Sequence, residues 1–222
     1  MLSQRQQKIL QVLVESFVEE AVPVASQFLA KKIADFEVVS PATIRNDLAA
    51  LEKENLIVQP HTSAGRIPTE KGYRFYVDNF LQKDLATRCT FSNDLKISDR
   101  QQIKELAKKI AEIVDLAVLV SFGGDDNYYT GLSNLFSQKE FHEQEKVVNI
   151  SALVEKFDNI VTSIFERDYS EPLIEIGEQG CFGEGASFVS VKEKNILIGI
   201  LGPIRMNYSR NYCLLKKVKE II

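Results

Sequence analysis

The residues with the most specific chemistry lie near the start of the chain. Arg45 and Asn46 are adjacent and sit among small residues: Ala42, Thr43, Ala49 and Ala50. A guanidinium matches guanine O6/N7 and a carboxamide matches adenine N6/N7, each through two hydrogen bonds. Small neighbours let a helix bearing such a pair sink into the major groove of DNA. Ser40-Pro41 reads as an N-cap serine followed by proline at the first helical position. Ser40 and Thr43 thus fall at a helix N-terminus, where backbone N–H groups favour a phosphate. A second group follows in the loop His61-Thr62-Ser63-Ala64-Gly65-Arg66. Gly65 permits a tight turn. Arg66 is expected at the loop tip, where a narrow minor groove attracts a cation. His61 is a phosphate donor or a plain loop histidine.

Other chemistry is poorly represented. No G-x-S-x-G, P-loop or paired catalytic histidine occurs, so an enzyme is not expected. Gly123-Gly124-Asp125-Asp126 shares its letters with a cyclic-dinucleotide synthase signature but lacks the surrounding elements and reads as a β-turn. Cys89, Cys181 and Cys213 are far apart and odd in number, which gives neither a disulfide framework nor a zinc site. Free thiols in a reducing compartment are expected. His61 and His142 are the two histidines, and neither a metal nor another cofactor is implied. Tyr128, Tyr129, Phe182 and Phe188 would line a ligand pocket or fill a core.

Three short helices and a β-hairpin are predicted to carry the DNA-reading residues. Ser3 caps a first helix with Ile9, Val12, Leu13, Ser16 and Phe17 on one stripe. Val22-Pro23-Val24 ends it. A second helix spans about Ala25–Ile33, with Phe28, Leu29 and Ile33 inward. The third spans Ala42–Glu54, with Asn55 as a left-handed cap. On a wheel of roughly 100° per residue, Ile44, Leu48 and Leu51 form its core stripe. Asp47 falls toward that side and is expected to bond within the domain. Leu56–Gln59 and Ile67 are strands flanking the loop, and a fourth helix starts at Thr69-Glu70 with Tyr73, Phe75, Tyr76, Val77 and Phe80. This order is that of a winged helix-turn-helix, with residues 40–54 as the reading helix and 60–67 as the wing.

Residues 1–82 form that domain, 83–97 a polar linker, and 98–222 a second domain. In the latter, Ser98 is expected to cap a helix to Asp115, Leu116–Val120 to be a strand ended by Gly123–Asn127, and Tyr128–Leu135 to hold a short strand and turn. Helices are predicted at Phe141–Ile150 and Ala152–Arg167. Strands follow at Leu173–Ile176, Ala186–Val191 and Ile196–Leu201, the last broken by Gly202-Pro203. A helix covers Tyr208–Ile222. Interleaved strands and helices make this half α+β.

The 222 residues carry 27 Lys+Arg against 31 Asp+Glu, and 45% are hydrophobic. That supports a folded core. The net charge of −4 argues at first against a nucleic-acid partner, but the charge is uneven. Residues 61–88 hold 5 basic and 3 acidic side chains, whereas 1–60 hold 6 and 8. A local excess at the wing suits binding that leans on base contacts and dimer avidity. MLSQRQQKILQVL has no apolar signal region, and Leu116–Val120 and Ile196–Ile204 are far short of the roughly 18–20 residues that span a bilayer. A cytoplasmic protein without a membrane partner is expected.

The strings SPATIRNDLAALE (Ser40–Glu52), QPHTSAGRIPTEKGYRFYVD (Gln59–Asp78), YYTGLSNLFSQKEF (Tyr128–Phe141) and GPIRMNY (Gly202–Tyr208), with the opening LSQRQQKILQVLVE, resemble the bacterial heat-inducible transcription repressor family HrcA. The resemblance covers most of the chain. It implies a winged helix followed by a GAF-like α+β domain. It implies a homodimeric repressor of chaperone genes on an inverted-repeat operator of the CIRCE type in double-stranded DNA, kept active by a GroE-type chaperonin. The DNA contacts it implies are Ser40, Thr43, Arg45 and Asn46, with His61, Thr62, Ser63 and Arg66 in the wing. One departure is visible. The family usually carries a dimerising subdomain inserted before the YYTGLSNL-like segment, here reduced to Ser121–Asn127. A dimer would then use other surfaces, such as the aromatic fourth helix or the GAF-like sheet and helices. Small-ligand sensing by the GAF-like domain is the alternative function.

Overall fold

The structure is a computed structural model that describes residues 2–61, 64–81, 97, 99–123, 126–141 and 157–222. It divides into two units, Met1–Leu81 and Gln82–Ile222.

In the first unit, Ser3 opens helix α1 (Gln4–Glu20) with a complete capping box: its side chain accepts from the Gln6 N–H while the Gln6 side chain accepts from the Ser3 N–H. Helix α2 (Ser26–Lys32) begins one residue later than expected and has no side-chain cap. Phe28 does not face inward; it is half-buried, with the Lys32 ammonium over its ring. Helix α3 (Pro41–Lys53) is capped by the Ser40 hydroxyl, and Asn55 beyond its end takes φ 56. Strands β1 (Ile57–Val58) and β2 (Ile67–Pro68) pair antiparallel. Thr69 caps helix α4 (Glu70–Phe80) and donates its hydroxyl proton to the Asn55 carbonyl. Ile9, Leu13, Leu29, Ile44, Leu51 and Tyr73 lie in the core of this unit. The helix–helix–helix–hairpin order expected from the sequence is the one observed.

The second unit is a five-stranded antiparallel sheet in the order β4-β3-β7-β6-β5. Its strands are β3 (Ala117–Phe122), β4 (Asp126–Thr130), β5 (Leu173–Ile176), β6 (Ala186–Glu193) and β7 (Ile196–Pro203). Along the chain that order reads 2-1-5-4-3, a GAF-like arrangement. Helices α5 (Arg100–Val114) and α8 (Tyr208–Ile221) cover the face bearing Val118, Val120, Val189, Val191, Ile198 and Ile200. The opposite face carries Leu119, Ala186, Phe188 and Leu201, which pack with Leu135 of helix α6 (Leu132–Phe136) and with Val161 and Ile164 of helix α7 (Phe157–Phe165). Central strands buried on both faces explain the unbroken apolar runs in the sequence.

Several boundaries differ from expectation. Asp99, whose carboxylate accepts from Gln101 N–H, caps α5, and Ser98 lies outside the described residues. The first strand ends ahead of Gly123 as expected, but the next begins earlier, at Asp126, so that β3 and β4 form a hairpin in which Ser121 pairs Asn127 and Phe122 pairs Asp126. Gly202-Pro203 does not break β7, because Gly202 pairs Ser187 and Pro203 pairs Ala186 at the ladder's end, where proline is tolerated. The helix expected at Phe141–Ile150 lies outside the described residues beyond a 3-10 turn at Lys139–Phe141. Most of the expected linker, like Cys89, is also outside them; Ile97 donates its N–H to Ile221 O within the second unit.

Phe182 and Phe188 are core residues with ring centroids 4.7 Å apart. Tyr129 packs at the rim of that core, and Tyr128 is half-buried with the Lys104 ammonium over its ring. The four aromatics do not converge on a pocket. A cleft of about 440 Å³ lies elsewhere, lined by Glu171, Pro172, Lys194, Lys216 and Lys219 among others. No described helix is long and apolar enough to cross a membrane.

Candidate nucleic-acid interface

Helix α3 is built with two different faces. Ile44, Leu48 and Leu51 are buried, while Ala42, Arg45, Asn46, Ala49 and Lys53 are exposed. Arg45 and Asn46 project side by side from the helix with no partner among the described residues, so their donors and acceptors face solvent. At the N-terminus the Ser40 hydroxyl accepts from Thr43 N–H at 3.2 Å and lies 3.1 Å from the Thr43 hydroxyl. The two hydroxyls sit together at the positive end of the helix, the position that attracts an anion, although Pro41 has no N–H and the Thr43 and Ile44 N–H groups already donate to Ser40.

The back of the helix is clamped. Asp47 is 6% exposed. Arg5 of α1 donates Nε–H to Asp47 Oδ2 at 2.7 Å and Nη1–H to Glu37 Oε1 at 2.9 Å. Gln6 adds a longer bond to Asp47 at 3.4 Å. The carboxylate of Asp47 foremost, then that of Glu37, holds the Arg5 guanidinium above the usual arginine range. One side chain of α1 therefore fixes both α3 and the turn ahead of it. The sequence wheel located Asp47 correctly, but its partner lies 42 residues away.

The wing is fixed at its base. Val24 and Arg66 exchange both backbone hydrogen bonds, N to O at 2.8 and 2.9 Å, a single antiparallel bridge just ahead of β2. Gly65 makes this approach possible: a Cβ there would lie 2.5 Å from the Val24 carbonyl carbon and oxygen. Gln59 Nε2–H donates to Ala64 O at 3.0 Å across the loop. His61 is exposed, and Thr62 and Ser63 lie outside the described residues. Arg66 is not at the tip, as the loop sequence implied, but at the base, because its backbone is engaged with Val24. Its side chain is half-buried, with Nε 3.2 Å from Glu52 Oε1 of α3. The N–H is not aimed at that oxygen and has no hydrogen-bond partner. This ion pair and the Arg5 clamp join the elements that carry the exposed residues. Neither pairing is visible in a local sequence pattern.

Among the described residues no group of three or more His, Cys, Asp or Glu is placed to hold a metal ion. The arrangement is a candidate binding surface: two exposed polar side chains on a braced helix, with a hairpin alongside. This defines a winged helix-turn-helix protein with an α+β second domain. A family model described as winged helix-turn-helix transcription repressor, HrcA DNA-binding, matches residues 1–79, and one described as HrcA protein C-terminal domain matches residues 74–211. The chain belongs to the HrcA family.

Relatives named heat-inducible transcription repressor HrcA include one from Thermodesulfovibrio yellowstonii, 45% identical over 113 residues, and one from Natranaerobius thermophilus, 44% identical over 127 residues. The matches cover 51% and 54% of this chain but 30% and 36% of those relatives, so the chain aligns with about a third of their length. A crystal structure described as that of a hypothetical protein superposes with a TM-score of 0.78 at 20% identity, covering 99% of this chain and 97% of that one. It supports the fold of the whole chain.

Proposed function

We propose that this chain is a transcriptional repressor rather than an enzyme, acting in the cytoplasm on heat-shock chaperone genes through a CIRCE-type inverted repeat. Arg45 and Asn46 read base edges in the major groove. Ser40 and Thr43, at the helix N-terminus, hold a phosphate. His61, with Thr62 and Ser63, meets the backbone from the wing. Arg66 contributes from the wing base, where Glu52 offsets part of its charge. The observation that carries this reading is the unengaged Arg45–Asn46 pair on a helix clamped from behind through Asp47.

A palindrome needs two reading helices, so the active species in this proposal is a homodimer. Regulation by a GroE-type chaperonin rests on family membership alone. The test is a gel-shift titration with an inverted-repeat operator, its half-site and a scrambled duplex. Cooperative binding to the full repeat, weaker binding to the half-site and none to the scramble are expected. Equal affinity for all three duplexes would overturn the proposal.

A further inference from the structure

The turn between α2 and α3 presents hydrocarbon where a DNA-facing surface would ordinarily present polar groups. Val38 is 89% exposed and Phe36 is 51% exposed. Both stand in a segment whose backbone is anchored. Phe36 N–H and Glu37 N–H each donate to Ile33 O at 2.9 Å. Glu37 is turned back against Arg5 at 2.9 Å, and Ser40 is engaged as the α3 cap. Val38 is therefore held between two fixed points with its isopropyl group outward. It is not a side chain free to fold back onto the core.

The clamp also decides what the turn shows to a partner. A carboxylate at Glu37 would repel the phosphates lining a groove, but its charge is taken by Arg5 on the protein side. Asp35 and the partly exposed Glu37 carboxylate also stand on this turn, and Val38 is the most exposed of its large apolar side chains. Exposed hydrocarbon of this kind is unfavourable in water and favourable when a partner covers it. Val38 lies two residue steps from Ser40, a span of about 7 Å at most. That is roughly two base-pair steps, at about 3.4 Å each, from the end of the reading helix. The groove edge carries one hydrocarbon feature that matches an isopropyl group, the C5-methyl of thymine.

We propose that Val38 is a specificity-determining residue that packs on a thymine methyl group beside the bases read by Arg45 and Asn46. This rests on the DNA-reading role of α3 proposed above. It adds a thymine preference that hydrogen bonding by Arg45 and Asn46 does not supply.

The test uses the full chain and a duplex it selects from a random-sequence pool. Each thymine of that duplex is replaced in turn by deoxyuridine, which removes the methyl group and leaves base pairing intact. Affinity is read by fluorescence anisotropy. At one thymine per half-site, uracil is expected to weaken the unaltered chain about fourfold, the effect of one methyl group left in water. Val38→Ala is expected to lose a similar factor on the thymine duplex and nothing more on the uracil duplex at that position. Its salt slope stays that of the unaltered chain, since no phosphate contact is lost.

Overturning results are a Val38→Ala chain that binds as tightly as the unaltered one, or uracil and alanine effects that multiply at every position. The uracil scan needs no variant, so its outcome does not depend on folding of Val38→Ala. If the chain selects no duplex, the DNA-reading role falls and this inference with it. Selection without a thymine-methyl effect removes Val38 alone.

Discussion

The first unit braces helix α3 with ion pairs behind and beside it and leaves Arg45 and Asn46 unengaged in front, whereas the second unit gathers polar side chains into clusters around its sheet. Arg5, Asp47, Glu37, Glu52 and Arg66 all lie behind or beside Arg45 and Asn46. In the second unit, Ser187 Oγ and Tyr208 OH lie 2.8 Å apart, Tyr129 OH and Asn127 Nδ2 donate to Asp158, and Arg167 and Cys181 both converge on Glu175. Arg45 and Asn46 are exposed on a braced helix, so an outside partner can meet them without breaking a bond inside the unit. The Phe182–Phe188 core of the second fits a scaffold better than a ligand pocket, although its polar clusters leave Asn127 Oδ1 and Glu175 Oε2 buried without a hydrogen-bond partner among the described residues.

The largest effect expected tests whether the bracing is rigid. Gly72 opens α4 so close to the end of α3 that a Cβ would lie 2.0 Å from Leu56 O. Gly72→Ala should destabilise the first unit by about 3 kcal/mol or more, as backbone must move. Hydrogen exchange across residues 2–81 would measure this; unchanged protection would show the α3–α4 junction to be pliable. Next is the front face. Arg45→Ala should lose about 1–3 kcal/mol of operator binding and relax preference at one base pair. Unchanged discrimination between operator and scramble would remove Arg45 from base reading. Arg66→Ala should do less, lowering the salt slope by at most about one unit, because Glu52 already offsets its charge. A larger fall than that of Arg45→Ala would reverse the roles of helix and wing base.

What the sequence showed of this site was whatever local periodicity and capping encode. Ser3, Ser40, Asn55 and the buried side of Asp47 were legible because each depends on residues within a turn or two. Arg5 as the partner of Asp47 was not, since it is brought there only by packing of α1 on α3. Arg66 was assigned to the wing tip because a turn-rich loop says nothing of where the chain rejoins a strand; the bridge to Val24 decides that. The β3–β4 hairpin was hidden for a related reason. Its Gly-Gly-Asp-Asp letters read as a turn, but β4, an edge strand only partly buried, lacks a strong apolar pattern, so its start at Asp126 and its pairing with β3 did not stand out. Exposed Val38 carried no signal, because a valine in a loop looks the same whether it is packed or bare.

Two smaller effects examine how closed the second unit is. Burial first, then the hydrogen bond to the Glu175 carboxylate, pushes the Cys181 thiol up from its ordinary range. Cys181 should therefore alkylate more slowly than an exposed cysteine at pH 8. Glu175→Gln removes the carboxylate and leaves the burial. Peptide mapping after iodoacetamide should then show labelling at Cys181 faster by about two- to tenfold, less than one pKa unit of thiolate. Equal rates in both chains would mean that burial alone protects the thiol and that the Glu175 network is incidental.

The smallest effect concerns the pair joining β4 to α7. Hydrogen bonds from Tyr129, foremost, and Asn127 hold the Asp158 carboxyl below its ordinary 3.8, and its place in the first turn of α7 acts in the same direction. A carboxyl lowered in the folded state stabilises that state above its unfolded value and ceases to as pH falls through the folded one. The contribution should be full above about pH 4 and decline progressively below it. Tyr129 behaves oppositely. Burial first, then the bond to Asp158, raises it above its ordinary 10.0. Its contribution is full below pH 10 and is lost as pH rises through the higher folded value. The melting-temperature difference between the unaltered chain and Asp158→Asn should thus be flat through neutrality and close as pH falls below 4. Because the pair is largely exposed, its size should stay below about 1 kcal/mol. A difference unchanged down to pH 3 would show that the carboxylate's charge plays no part, and that β4 is held by shape and backbone pairing alone.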